Sequence, residues 1–388
     1  METLRQAFIT HTASELPGEP VPNEDIETYL GVLHEGRERL RARVLKNNGI
    51  HTRYYAIDRE TGRPNVTLAE LQARAIRRLL ERADIAIEDI DLLACGTSIP
   101  EAVTPGIASL VHGELGGNPV EVISTAGVCG SSMAALKYGA MAVQSGNAHT
   151  AVVGASERTS SHLRSSHFQS ELNARKVDED DPHIALGAEF LRWMLSDGAG
   201  AVLMRNQPAP DRLSFRVEWA QVVSFANELP TCMYMGAKRR EDGGLSSWRD
   251  TEDLQQAVRE GYFNLQQDVG LLRKNIVPVT TWRTIDEIRK TRRLEPEDVD
   301  WVLPHLSSNL FRQPAIDAFA EAGFHIPESH IRSNLAERGN MGAASIFVML
   351  DDFVQSGDVR PGDGVLLVVP ESGRFSTGYM LLRVVEPA

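Results

Sequence analysis

The sequence predicts a layered α/β protein made of two similar halves, on three observations. Short apolar strands alternate with helix-forming segments along the chain. Two phrases recur at nearly the same spacing. A proline-flanked junction, Asn206-Gln207-Pro208-Ala209-Pro210, lies near the middle, where Pro208 and Pro210 exclude helix. The halves are expected at 1–207 and 208–388, with mostly parallel strands. At 42% hydrophobic and 24% charged residues, the 388-residue chain has enough apolar material for a sizeable core.

Residues 87–96 read as a helix exit, an acidic turn and a short apolar strand, and residues 294–303 repeat that pattern. Glu88 and Glu297 then align at an offset of 209. Residues 122–137 read as a strand, a turn of small residues and a helix. Val143-Gln144-Ser145-Gly146 ends that helix before a strand at 150–154. Val354-Gln355-Ser356-Gly357 does the same before a strand at 365–370, at an offset of 211. Either match alone is weak; their nearly equal offsets, each joining a helix to an apolar strand, make duplication the better reading.

Carried across, the first offset takes Gly96 to His305 and the second takes Cys129 to Asn340. Equivalent points in related halves face each other across a pseudo-twofold axis, so Cys129, His305 and Asn340 are expected to converge. Cys129 stands in Gly127-Val128-Cys129-Gly130, where a strand gives way to a helix. The helix dipole and unpaired N–H groups there favour a thiolate. The competing reading is a buried structural thiol, which is how Cys95 and Cys232 are read. His305 follows a strand, where open α/β sheets place their sites, or it is a surface histidine. Asn340 opens a glycine-rich turn, where asparagine also serves as a helix cap.

With these residues in place, the chain resembles the thiolase superfamily, in its ketoacyl-ACP synthase III branch. The further markers are Ser196-Asp197-Gly198-Ala199-Gly200-Ala201, Pro304-His305, Gly339-Asn340-Met341-Gly342-Ala343-Ala344-Ser345 and Glu371-Ser372-Gly373-Arg374-Phe375. The resemblance implies a five-layered αβαβα fold, a homodimer and a condensing enzyme using acyl thioesters, with no metal or other cofactor expected. Three cysteines without a CxxC pair point to a reducing cytoplasm. Cys129 would carry the acyl group, and His305 and Asn340 would stabilise the extender's enolate. The backbone N–H groups of Cys129 and Gly373 would form the acyl oxyanion hole, and Asp197 is expected in a structural turn.

Several departures bear on substrates. The family's coenzyme A clamp, a tryptophan and an arginine, has no counterpart in residues 43–50, so an acyl carrier protein is the favoured donor over acyl-CoA. Lys46, Lys238, Arg239, Arg240 and Arg312 are the candidate carrier contacts. Thr104, before Pro105, stands where a bulky gate is common and implies an open acyl tunnel. An insert at 160–190, carrying His162, His167 and His183, is read as a lid without metal spacing. Glu371 replaces an apolar residue and could tune a proton transfer. Phrases such as Val111-His112-Gly113-Glu114-Leu115 are similar to dialkylresorcinol- and cyclohexanedione-forming enzymes. The alternatives are an acyltransferase forming an ester or amide, and a non-catalytic partner subunit.

Charge and leader signals narrow the remainder. Acidic residues outnumber basic ones 53 to 40, a net charge of −13, which argues against broad nucleic-acid binding. The first residues lack a basic start and long apolar run, so neither a signal peptide nor a membrane span is expected.

Overall fold

The computed structural model describes residues 5–33, 38–174 and 190–388. Nine strands form its main sheet: β1 Phe8–Glu15, β2 Leu92–Thr97, β3 Glu121–Ala126, β4 Thr150–Glu157, β5 Gly198–Arg205, β6 Ser214–Ser224, β7 Trp301–Pro304, β8 Gly364–Glu371 and β9 Ser376–Val385. Their spatial order is β7-β8-β9-β6-β1-β5-β4-β2-β3. Read outward from the β6–β1 centre, β6-β9-β8-β7 mirrors β1-β5-β4-β2. Phe8 pairs with Arg216 and Ile9 with Phe215 where the two sets of strands meet, and the Val217 N–H donates to the Ala7 carbonyl at 2.8 Å.

Strand direction differs from expectation. Parallel pairing is confined to β7–β8, β4–β2 and β2–β3, whereas β8–β9, β9–β6, β6–β1, β1–β5 and β5–β4 are antiparallel. The reason is local: β8 and β9 are joined by the short turn of residues 372–375, which can only return the chain antiparallel.

Three helices show the layering. α1 (Leu68–Ala83), α2 (Ser131–Ser145) and α3 (Ser345–Ser356) are rich in Ala and Leu or in large apolar residues. α2 packs on β2 and β4 of one half and on β6 and β9 of the other, while α3 packs on β1, β5 and β7. The sheet halves therefore enclose a helical middle layer, and α1 covers the outside of β1 and β5. This is the expected αβαβα arrangement. Small residues allow the close approach: a Cβ on Gly200 of β5 would stand 2.6 Å from Phe347 Cβ of α3.

Candidate active site

Chain geometry at the end of β3 sets out Cys129. Gly127 has φ 120° and Val128 has φ 53°, the left-handed region that a β-branched residue adopts only under constraint. The constraint is visible, since the Val128 N–H donates to the Ser98 carbonyl at 3.2 Å. Gly130 then caps α2, and the first helical N–H groups, of Ser131 and Ser132, donate back to the carbonyls of Val128 and Cys129. Cys129 is half-buried.

His305 follows β7, its N–H donating to the Val368 carbonyl of β8 at 2.8 Å. It is 4% exposed, and burial lowers its pKa to about 4, so the ring is neutral near pH 7. Asn340 is tied at both backbone groups: its N–H donates to Met194 at 3.0 Å and its carbonyl accepts from Ser196 at 2.9 Å. Its Oδ1 accepts from the Gly342 N–H at 3.0 Å, which leaves the amide NH2 as its donor. The expected capping role is not observed, since Met341 precedes the Gly342–Ala344 turn as its cap, but this bond and a cavity position coexist at Asn340. Cys129, His305 and Asn340, from both halves, line one cavity of about 390 Å³.

The remaining cavity wall is mainly apolar, with Leu191, Met194, Met233, Trp248 and Phe263 among its residues. Thr159 and Leu191, on either side of the insert, also line it. Residues 175–189 of that insert, including His183, lie outside the described residues. Among the described residues, no group of three His, Cys, Asp or Glu could hold a metal ion.

Two residues of this site were not singled out from the sequence. Glu157 ends β4, is 1% exposed, and accepts from the N–H groups of Ser98 at 2.7 Å and Ala343 at 2.9 Å. It thereby joins the loop after β2 to the loop that carries Asn340. Burial pushes its pKa up to about 7 against those bonds. Ser98 places its hydroxyl between the Glu157 carboxyl, the Ala343 N–H and the Cys129 thiol. The available signal was an acid closing a largely apolar eight-residue strand.

Several expectations are corrected. The thiolate was expected to be favoured at Cys129, yet the thiol pKa is raised, first by burial and then by the Glu157 and Glu371 carboxylates. Desolvation and two nearby anions outweigh the helix terminus. The Gly373 N–H, expected as an oxyanion donor, instead donates to the Glu371 carboxylate. That carboxylate closes the β8–β9 turn, accepting also from the Arg374 N–H at 3.2 Å and the Ser376 hydroxyl at 2.9 Å.

Thr104 is exposed and does not line the cavity; its neighbour Val103 does. The candidate carrier contacts are mostly neutralised by partners. Lys238 pairs with Glu260, Arg239 with Asp268, Arg240 with Asp242 and Arg312 with Glu328, while Lys46 is exposed. Asp197 has the structural place expected of it, accepting from the N–H groups of Ala56 at 2.7 Å and Ser160 at 2.9 Å.

Comparison with known proteins bears on the fold and the enzyme class. Residues 51–185 match the thiolase N-terminal domain, and residues 290–384 match the 3-oxoacyl-[acyl-carrier-protein (ACP)] synthase III C-terminal domain. The chain is 26% identical over 379 residues to a beta-ketoacyl-[acyl-carrier-protein] synthase III of Methylococcus capsulatus, covering 98% of this chain and 99% of the relative. Its fold is similar to that of AbyA1, a tetronic acid condensing enzyme, with TM-score 0.74, 20% identity, and 97% and 99% of the chains covered. It is also similar to cerulenin-bound OleA of Xanthomonas campestris, with TM-score 0.72, 19% identity, and 98% and 97% covered. The fold is thus the thiolase fold. Over nearly its whole length the chain is similar to ketoacyl synthase III condensing enzymes, and it is an acyltransferase by reaction type.

Proposed function

We propose that the protein joins an acyl group held on Cys129 to a malonyl or β-ketoacyl thioester in specialised lipid or polyketide biosynthesis, with ring closure to a cyclohexanedione or resorcinol precursor as a following step. The observation that carries this reading is that Cys129, His305 and Asn340, distant in sequence, wall one apolar cavity.

In the first stage the Cys129 sulfur attacks the donor thioester carbonyl. A new C–S bond forms, the donor thiol leaves, and the Cys129 proton passes to that thiol. In the second stage the extender loses CO2, or a proton if it is a β-ketoacyl unit, to give an enolate. Its carbon attacks the acyl-enzyme carbonyl and releases the Cys129 thiolate, which is reprotonated by the proton the β-ketoacyl extender lost or, after decarboxylation, by one from solvent. The Asn340 NH2 and the neutral His305 ring donate hydrogen bonds to the extender's thioester oxygen as charge develops there. Each such donor is worth ~2.7–4 kcal/mol in a dry site. His305 suits this role because burial keeps it uncharged, with one ring N–H to donate.

Acyl thioesters on carrier protein or coenzyme A are the substrates, and the chain acts as a homodimer. The open edge strand β3 supports pairing there. Intact-protein mass spectra after incubation with acyl-carrier and acyl-CoA donors, beside Cys129→Ala, test the reading. A mass gain confined to the parent protein is expected. No gain with any donor would overturn it and favour a non-catalytic partner subunit.

A further inference from the structure

Residues 235–265 leave the main sheet as one excursion. Its base is closed by Met233–Tyr234 pairing with Gln266–Gln267, and it carries its own hairpin of Ala237–Arg239 with Leu245–Ser247. From this excursion, Trp248 and Phe263 return to the cavity wall.

Trp248 is held from several sides. Its N–H donates to the Gly236 carbonyl at 3.0 Å, and its carbonyl accepts from the Thr251 hydroxyl at 2.7 Å. Ser247 and Asp250 cap the same turn, with bonds of 3.2 and 3.1 Å. Gly236 has φ 71°, and a Cβ there would stand 3.3 Å from Trp248 Cδ1, so the indole seats against bare backbone. The Phe263 ring lies 5.7 Å away and the Arg249 guanidinium 5.3 Å from the indole. Met194, Met233 and Met235, by contrast, are unbranched side chains that yield to a ligand's shape.

We propose that Trp248, carried on the 235–265 excursion and backed by Phe263, ends the acyl-binding cavity and sets the upper size of the acyl group loaded on Cys129. It takes the part that Thr104, exposed and off the cavity, does not play. The proposal rests on the reading that Cys129 carries an acyl group.

The test compares wild type, Trp248→Ala and Trp248→Phe with a series of straight-chain acyl thioesters from short to long. Initial rates of Cys129 loading are read by intact mass. Removing the indole should move the preference to longer chains, raising the relative rate for chains just beyond the wild-type limit by about 10-fold or more, with Trp248→Phe between the two. An unchanged chain-length profile, or an equal loss at every length, overturns the proposal while leaving the acyl-enzyme reading intact. If Trp248→Ala does not fold, the direction of the Trp248→Phe shift decides. Absence of loading in wild type would overturn both.

Discussion

Replacing Glu157 with glutamine should stabilise the protein at pH 8 relative to wild type, and do so much less near pH 5. Burial raises the Glu157 pKa from the ordinary 4.5 to about 7. At 1.36 kcal/mol per unit, that corresponds to ~3 kcal/mol. The folded chain holds this proton more tightly than the unfolded one, so stability falls as pH rises through the window from 4.5 to about 7. The loss is complete above it and absent below it. Glutamine carries no charge at either pH, and its side-chain oxygen can still accept from the Ser98 and Ala343 N–H groups that now meet Glu157 Oε1. Urea unfolding of both proteins at pH 5 and pH 8 gives the difference directly, since other titrating groups are largely common to the pair. A stability difference at pH 8 no larger than at pH 5 would refute the reasoning. The same variant also loses one of the two carboxylates that raise the Cys129 thiol pKa. Iodoacetamide should therefore alkylate Cys129 faster at pH 8, where Glu157 is ionised.

Two further outcomes follow from the geometry. His305, with its pKa near 4, should leave no ionisation in the kcat/KM profile of condensation between pH 5 and 8; an inflection near 6.5 that disappears in His305→Asn would contradict this. Gly200→Ala should lower stability by ~1–3 kcal/mol, because the new methyl would press on Phe347 Cβ at 2.6 Å and on the Val348 backbone N at 3.1 Å. An unchanged melting temperature would show that β5 and α3 are not packed as tightly as described.

Much of the site was legible because its signals are short-range and repeated. The strand–turn–helix around Cys129 is written in local residue types, and observed α2 begins at Ser131 and stops at Ser145 before Gly146. The offsets of 209 and 211 then carried that position to Asn340 and the end of β2 to His305. The strands expected at 150–154 and 365–370 occur as Thr150–Glu157 and Gly364–Glu371. Glu157 escaped notice because an acid closing an apolar strand is also the pattern of a strand simply reaching solvent. Only the Ser98 and Ala343 N–H groups, 59 and 186 residues away, make it a buried link.

The sequence by itself determined the α/β layering, the duplicated pattern and the identity of the three residues on the cavity. Residue periodicity and helix signals act over a few positions, and the two phrases recur at nearly one interval, 209 and 211 residues. Tertiary structure alone decided the raised thiol pKa of Cys129, the occupied Gly373 N–H, the exposure of Thr104 and the return of Trp248 to the cavity. Each of these depends on burial and on charges or donors brought from remote parts of the chain, and desolvation is set by how the whole molecule packs.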